Sequence, residues 1–231
     1  ALYINTLSGG GAERVIANLA NFFSETDEVF VINSFRVENE YPLRDSVKHL
    51  YLDDNCFKSR FQKNVRRISG LRKILKKNAF DVLISFMMEP NFRACLAVRG
   101  LPTKLIVSVR NDPRIEYGGK VGKWVAKVLM PRADGCVFQT EDAKLWFPSK
   151  LQKKSKIIFN AVNPKFFDAS FDGERKDIVT CGRLTAQKNH FLLIDAFDKI
   201  KDLVPDNLLI YGEGDLRNEL EARIKELRLE D

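Results

Sequence analysis

Short apolar runs rich in Val, Ile and Leu alternate along the chain with longer stretches whose apolar positions recur every three to four residues. The short runs at 2–6, 29–33, 47–52, 82–86, 105–109, 136–138, 157–159, 178–181 and 208–211 predict strands. The longer period predicts helices over 12–24, 60–77, 91–99, 120–130, 142–147, 190–203 and 216–228. In the first of these, Ala12, Val15, Ile16, Leu19, Ala20 and Phe23 share one face. Strand–helix alternation with near-continuous apolar strands argues for a parallel sheet covered by helices on both faces, an α/β fold. Segment 160–176 is rich in turn formers and has no period, so it predicts a boundary that divides the chain into domains 1–165 and 166–231. No internal repeat or low-complexity tract interrupts this order.

Two strand-to-helix turns carry candidate chemistry. Residues 182–190, Gly-Arg-Leu-Thr-Ala-Gln-Lys-Asn-His, follow the run at 178–181 and precede a predicted helix. Arg183 and Lys188 therefore sit where open α/β sheets bind ligands. A helix amino terminus favours anions, and an Arg fork with a Lys point charge suits a diphosphate. The alternative is a solvated loop with two ordinary surface charges. At the amino-terminal end, Ser8-Gly9-Gly10-Gly11 joins the first strand to the first helix. Glycines there allow a tight turn and close approach of the Gly10 and Gly11 backbone to a ligand. Two such units predict two Rossmann-like halves.

The motifs at 9–15 (Gly-Gly-Gly-Ala-Glu-Arg-Val), 182–189 (Gly-Arg-Leu-x-x-x-Lys-Asn) and 209–217 (Leu-Ile-Tyr-Gly-Glu-Gly-Asp-Leu-Arg) resemble those of glycosyltransferase family 4. Residues 108–113, Ser-Val-Arg-Asn-Asp-Pro, are similar to a loop in the branch that builds bacterial surface polysaccharides. The resemblance runs along the whole chain. It implies a GT-B fold of two Rossmann-like domains and a retaining, metal-independent transfer of sugar from a nucleotide diphosphate donor, with uridine the expected base. It implies a glycan or lipid-linked hydroxyl acceptor, and no cofactor beyond the nucleotide-sugar substrate. On this reading Arg183 and Lys188 stabilise the departing diphosphate. Gly10, Gly11, Gly212 and Glu213 approach the donor, and Arg110 supplies electrostatic contact, its alternative being a salt bridge to Asp112 or Glu116. Glu89 and Asn111 are acceptor-side candidates. For Glu89 the alternative is a helix amino-terminal charge, and for Glu213 a solvated turn residue. Asn160 and Asn163 line a hinge or simply make turns. The family also carries a Glu-x7-Glu motif beyond the glycine turn, which does not occur before Asp231, and Ala1 falls inside the first predicted strand. The expectation is a fragment with an incomplete second domain, inactive by itself. Other readings are a non-catalytic sugar-nucleotide-binding or scaffold domain, or another GT-B-like enzyme such as a phosphorylase.

Charge adds a possible partner. Residues 1–170 hold 28 Lys and Arg against 17 Asp and Glu, while residues 171–231 hold 10 against 14, together the net +7 of the chain. Much of the excess lies at 58–77: Lys58, Arg60, Lys63, Arg66, Arg67, Arg72, Lys73, Lys76 and Lys77. Such a basic amphipathic helix suits an anionic membrane surface, and the expected location is cytoplasmic, peripheral on the inner face. The alternative puts Phe57, Phe61, Val65, Ile68, Leu71 and Leu75 in the core and the charges in solvent. No apolar run reaches the roughly 18–20 residues of a membrane span. No nucleic-acid motif accompanies the basic balance, so nucleic acid is not an expected partner. Four cysteines without CxxC spacing, Cys56, Cys95, Cys136 and Cys181, predict free thiols, buried in the strand-like runs. Two distant histidines, His49 and His190, argue against a His-based metal site, and no GxSxG elbow is present.

Overall fold

A computed structural model describes residues 1–52, 59–162, 166–167, 173 and 176–230. The chain forms two compact units, Ala1–Val162 and Asn163–Asp231. The expected 165/166 boundary falls on Lys165, outside the described residues, as do Asn163, Cys56, Phe57 and Lys58.

The first unit is one seven-stranded sheet in the order β3-β2-β1-β4-β5-β6-β7. Its strands are β1 (Leu2–Ile4), β2 (Phe30–Asn33), β3 (Lys48–Tyr51), β4 (Val82–Phe86), β5 (Lys104–Ser108), β6 (Gly135–Phe138) and β7 (Ser155–Ile157). Every pairing is parallel. Alternation along β1 sends Tyr3 into one core with Ile32, Leu71, Leu83 and Val107, and Leu2 and Ile4 into the other with Ile16, Ala20 and Val31. Helix α1 (Gly11–Phe23) covers the second face; α2 (Arg60–Asn78) and α3 (Met88–Ala97) cover the first. The chain order reverses between β1 and β4, which makes the crevice outside their carboxyl ends a ligand position.

Differences from the sequence reading have local causes. Short helices α4 (Pro113–Glu116) and α7 (Ser149–Gln152) were not predicted, being about one turn each. Asp112 starts α4 by accepting the Arg114 backbone N–H at 2.8 Å. The single helix expected at 120–130 is α5 (Lys120–Trp124) continued by a π turn over Val125–Leu129 and a 3₁₀ turn through Pro131. Helix α6 (Glu141–Leu145) is capped by the Thr140 hydroxyl, which accepts from Ala143 N at 3.1 Å. Cys95 and Cys136 are free and buried, as expected of a thiol in a strand for the second, but Cys181 is exposed.

The second unit pairs β8 (Ile178–Cys181) with β9 (Leu208–Tyr211) in parallel, with α8 (His190–Asp198) and α9 (Arg217–Glu226) packed through Leu184, Ile194 and Leu220.

Candidate functional sites

In the second unit the strand pairing continues past both strands into the loops that follow. Gly182 N donates to Tyr211 O at 2.9 Å, Leu184 N to Glu213 O at 2.9 Å, and Leu216 N to Leu184 O at 3.1 Å. Glycines permit this. A Cβ on Gly212 would overlap the Gly182 carbonyl, and one on Gly214 would overlap that of Leu184. Both obstacles are backbone, so neither can swing aside. Leu184 is buried in the unit's core, while Arg183 and Lys188 on either side of it are exposed. Their side chains make no hydrogen bond or ion pair with any described residue. A 3₁₀ turn, Ala186–Lys188, leads through Asn189 (φ 50°) into α8, whose first residue, His190, is buried with Nε2 lacking a partner among the described residues. Two uncommitted cations thus precede a helix amino terminus whose N–H groups favour an anion. Glu213 is an exposed turn residue whose carboxylate pairs with Arg217 at 2.7 Å. Gly212→Ala is expected to destabilise the second unit by about 1–3 kcal/mol through this backbone overlap, read as a lower urea midpoint. An unchanged midpoint would show that the two loops have room to part.

In the first unit Gly9 adopts φ 61° and Gly10 N donates to Ser8 O at 2.8 Å. That turn commits the Gly10 N–H, so Gly11, exposed and with open space above it, is the glycine left to face a ligand. The Glu13 carboxylate fills the space a Gly10 side chain would need.

Arg110 follows β5. It lies over the Phe86 ring, 4.8 Å from its centroid, and donates to the Asn160 side-chain oxygen. No carboxylate among the described residues pairs with it. Asp112 lies by Arg114, and Glu116 accepts the Met88 N–H at 2.8 Å. Burial draws the Arg110 guanidinium below its usual range, and burial likewise raises the Glu116 carboxyl, opposed by the Met88 bond. Asn111 is exposed and its amide approaches Met87 Sδ at 3.8 Å. Met87 itself has φ 76°, a strained conformation for a side-chain-bearing residue at the turn from β4 into α3.

Glu89, in the first turn of α3, is drawn into a network that sequence reading missed. Arg93 is 1 % exposed and donates to four oxygens: Asn5 Oδ1 at 2.7 Å, Asn64 Oδ1 at 2.9 Å, Glu89 Oε2 at 3.1 Å and Ser34 Oγ at 3.2 Å. Asn5, Ser34 and Glu89 stand just beyond β1, β2 and β4, at the crevice. The only sequence signal was the i,i+4 spacing of Glu89 and Arg93. Among the described residues no group of three or more His, Cys, Asp or Glu is placed to hold a metal.

Comparison with known proteins bears on both loops. A family model described as Glycosyltransferase Family 4 matches residues 9–166, and one described as Glycosyl transferases group 1 matches 162–231. Two Campylobacter jejuni proteins are similar along the chain. The GalNAc-alpha-(1->4)-GalNAc-alpha-(1->3)-diNAcBac-PP-undecaprenol alpha-1,4-N-acetyl-D-galactosaminyltransferase is 31 % identical over 97 % of this chain and 64 % of its own. The N-acetylgalactosamine-N,N'-diacetylbacillosaminyl-diphospho-undecaprenol 4-alpha-N-acetylgalactosaminyltransferase is 32 % identical over 100 % of this chain and 67 % of its own. The chain thus spans about two thirds of the length of these relatives. Anabaena Alr3699/HepE, solved in complex with UDP and glucose, superposes with TM-score 0.77 at 15 % identity, over 100 % of this chain and 66 % of that one.

Proposed function

Because the chain belongs to glycosyltransferase family 4 and has the GT-B type of fold, we propose that the protein carrying it transfers a sugar from a UDP-sugar to a hydroxyl of a lipid-linked glycan, with retention of configuration. The observation that carries this reading is the pair of cations, Arg183 and Lys188, without an ion-pair partner among the described residues, on a loop held by Gly212, Gly214 and Leu184. Bond breaking moves negative charge onto the diphosphate. Fixed cations and helix N–H groups stabilise that charge without having to reorganise. Gly11 and Arg110 are the first unit's candidates for contact with substrate, and Asn111 and Glu89 its candidates on the acceptor side. Both Campylobacter relatives are named for N-acetylgalactosamine transfer onto undecaprenyl diphosphate-linked glycans, which makes UDP-N-acetylgalactosamine and such a glycan the first substrates to test. The assay is release of UDP together with a lipid-linked product one sugar longer. UDP-sugar binding with no product from any nucleotide sugar would replace this reading with a binding or scaffold role.

A lipid-linked acceptor calls for contact with a membrane, and we propose that the first unit docks peripherally on anionic lipid at the cytoplasmic face. The apolar side of α2 divides: Leu71 and Leu75 are core, whereas Phe61 is 75 % exposed and Val65 is exposed as well. Lys63, Arg66, Lys73, Lys76 and Lys77 share that helix. On α5 and its π turn, Val121 and Trp124 (46 % exposed) alternate with Lys120, Lys123 and Lys127. Apolar side chains ringed by cations suit a headgroup interface. No helix among the described residues is long and apolar enough to cross a membrane. Binding to vesicles containing phosphatidylglycerol is expected, weakening as salt shortens screening to about 8–10 Å and shifting Trp124 fluorescence to the blue. Equal sedimentation with neutral and anionic vesicles would assign these charges to ordinary solvation.

A further inference from the structure

Residues 34–41 leave β2 and run back beside the segment that enters the glycine turn. Phe35 N donates to Asn5 O at 3.3 Å and Tyr41 N to Leu7 O at 2.9 Å, while Glu40 pairs with Ser8 in an isolated antiparallel bridge. Asn39, at φ 56°, takes the left-handed conformation that Asn tolerates better than most residues, and Glu40 follows it. The Glu40 side chain is 16 % exposed and is held from two elements. Its Oε2 accepts the Tyr51 hydroxyl of β3 at 2.5 Å, and its Oε1 accepts the Val37 N–H at 3.3 Å. His49, also on β3, places Nδ1 3.9 Å from Glu40 Oε2 and 3.1 Å from the Tyr51 oxygen.

The proton positions follow from the neighbours. Asn33 Nδ2 donates to Ile4 O at 3.2 Å, which turns Asn33 Oδ1 toward His49, so Nε2 carries the proton and donates to it. Burial draws His49 below its ordinary range, opposed by Glu40 and aided by Arg36, which leaves Nδ1 as an acceptor. Tyr51 then has one proton and two acceptors, and the nearer, charged Glu40 takes it. Burial and then Glu40 push the Tyr51 hydroxyl up to about 12, so it remains a donor at neutral pH. The Tyr51 ring is packed on both sides, against His49 at 4.4 Å between centroids and under the Arg36 guanidinium at 4.5 Å.

We propose that Tyr51 is a positioning residue for the glycine turn: its hydroxyl fixes Glu40, and Glu40 fixes Ser8 and the Gly11 that follows. Without that bond a largely buried carboxylate loses its strongest donor, and it regains water by lifting residues 37–41 away from Ser8. The turn then loses the neighbour that holds its entry. The proposal rests on the transfer reading above, in which Gly11 faces substrate. Gly11 opens α1, whose amino terminus has no side-chain cap among the described residues and favours an anion, so the part of the substrate it serves is the donor diphosphate.

The test uses the full-length protein and Tyr51→Phe, which keeps the packed ring and deletes only the hydroxyl. Hydrogen exchange is followed by mass spectrometry in peptides containing Tyr41, whose N–H crosses to Leu7 O. Exchange there is expected to quicken about tenfold over wild type at the same pH, the lower end for a lost hydrogen bond to a charged group. Kinetics vary UDP-N-acetylgalactosamine and an undecaprenyl diphosphate-linked N-acetylgalactosaminyl glycan in turn. The donor KM is expected to rise about tenfold, with the glycan KM within about twofold, because the loosened segment borders only the turn. Glu40→Gln, which keeps an oxygen for the Tyr51 hydroxyl, should show a smaller rise. A loss of folded protein would instead lower kcat and leave both KM values alone, and thermal unfolding is measured to separate the two. Unchanged exchange at Tyr41 in Tyr51→Phe would overturn the anchoring. Faster exchange with the donor KM unchanged, in a wild-type protein that transfers sugar, would overturn the role in the reaction alone. A wild-type protein that binds UDP-sugar and transfers nothing would remove the transfer reading, and this role with it.

Discussion

Alanine at Arg183 or at Lys188 is expected to lower turnover of the full-length protein by about a hundredfold to a thousandfold, the usual consequence of deleting one preorganised group that stabilises developing charge. The expectation follows from the environment of the two side chains. Neither is tied to a carboxylate among the described residues, so neither substitution breaks an ion pair described in the fold. Both project from a backbone that Leu184 and the glycine contacts hold in place, so the loop persists after truncation. The loss therefore belongs in kcat, with a smaller rise in the dissociation constant for UDP and no change in unfolding midpoint. Arg183→Lys should recover less than charge alone suggests, since an ammonium lacks the bidentate fork that matches a phosphate edge. Stopped or quenched assays of UDP release, with UDP binding by calorimetry, separate the two effects. Full turnover in both alanine variants would relocate the diphosphate away from this loop.

Arg93→Leu is expected to cost about 3 kcal/mol of stability in the first unit, toward the lower end of the range for breaking a buried pair, because Glu89 retains some water. The substitution leaves Asn5, Asn64 and Ser34 without their shared donor in a region with little solvent. Urea unfolding followed by far-ultraviolet circular dichroism checks it. An unshifted midpoint would mean that water replaces the guanidinium without penalty, and that the network matters less to folding than its burial implies.

Elements marked by a local period were legible in the sequence. Strands β4, β8 and β9 lie where the apolar runs placed them, and α1 differs by one residue at each end, because a face of Ala, Val, Ile and Leu is a property of a dozen consecutive residues. Arg183 and Lys188 were legible for the same reason: a strand, a loop and a helix succeed one another within about a dozen positions, and the loop's place follows. Arg93 was not. Its partners Asn5, Ser34 and Asn64 are 88, 59 and 29 residues away, and before the sheet is assembled it is one cation in a helix. The role of Gly212 was equally hidden. The sequence suggests a tight turn, while the constraint is the Gly182 carbonyl, in the loop after β8, thirty residues earlier in the chain. At Gly10 the sequence offers both a tight turn and close approach to a ligand, and the fold uses its N–H for the turn, in a bond to Ser8 O.

The burial of Leu184 has a thermodynamic consequence. Ordering a flexible loop around a ligand costs about 1–2 kcal/mol for each residue whose backbone must be fixed. Between Gly182 and Asn189 that cost falls at folding, when Leu184 enters the core and the loop bonds to its neighbour. What remains at binding is the freezing of two long side chains, about 2 kcal/mol apiece at most. Diphosphate capture by this unit is thus favoured by a small entropic opposition as much as by attraction, and its calorimetric signature should stay nearly the same when the sugar beyond the phosphates is changed.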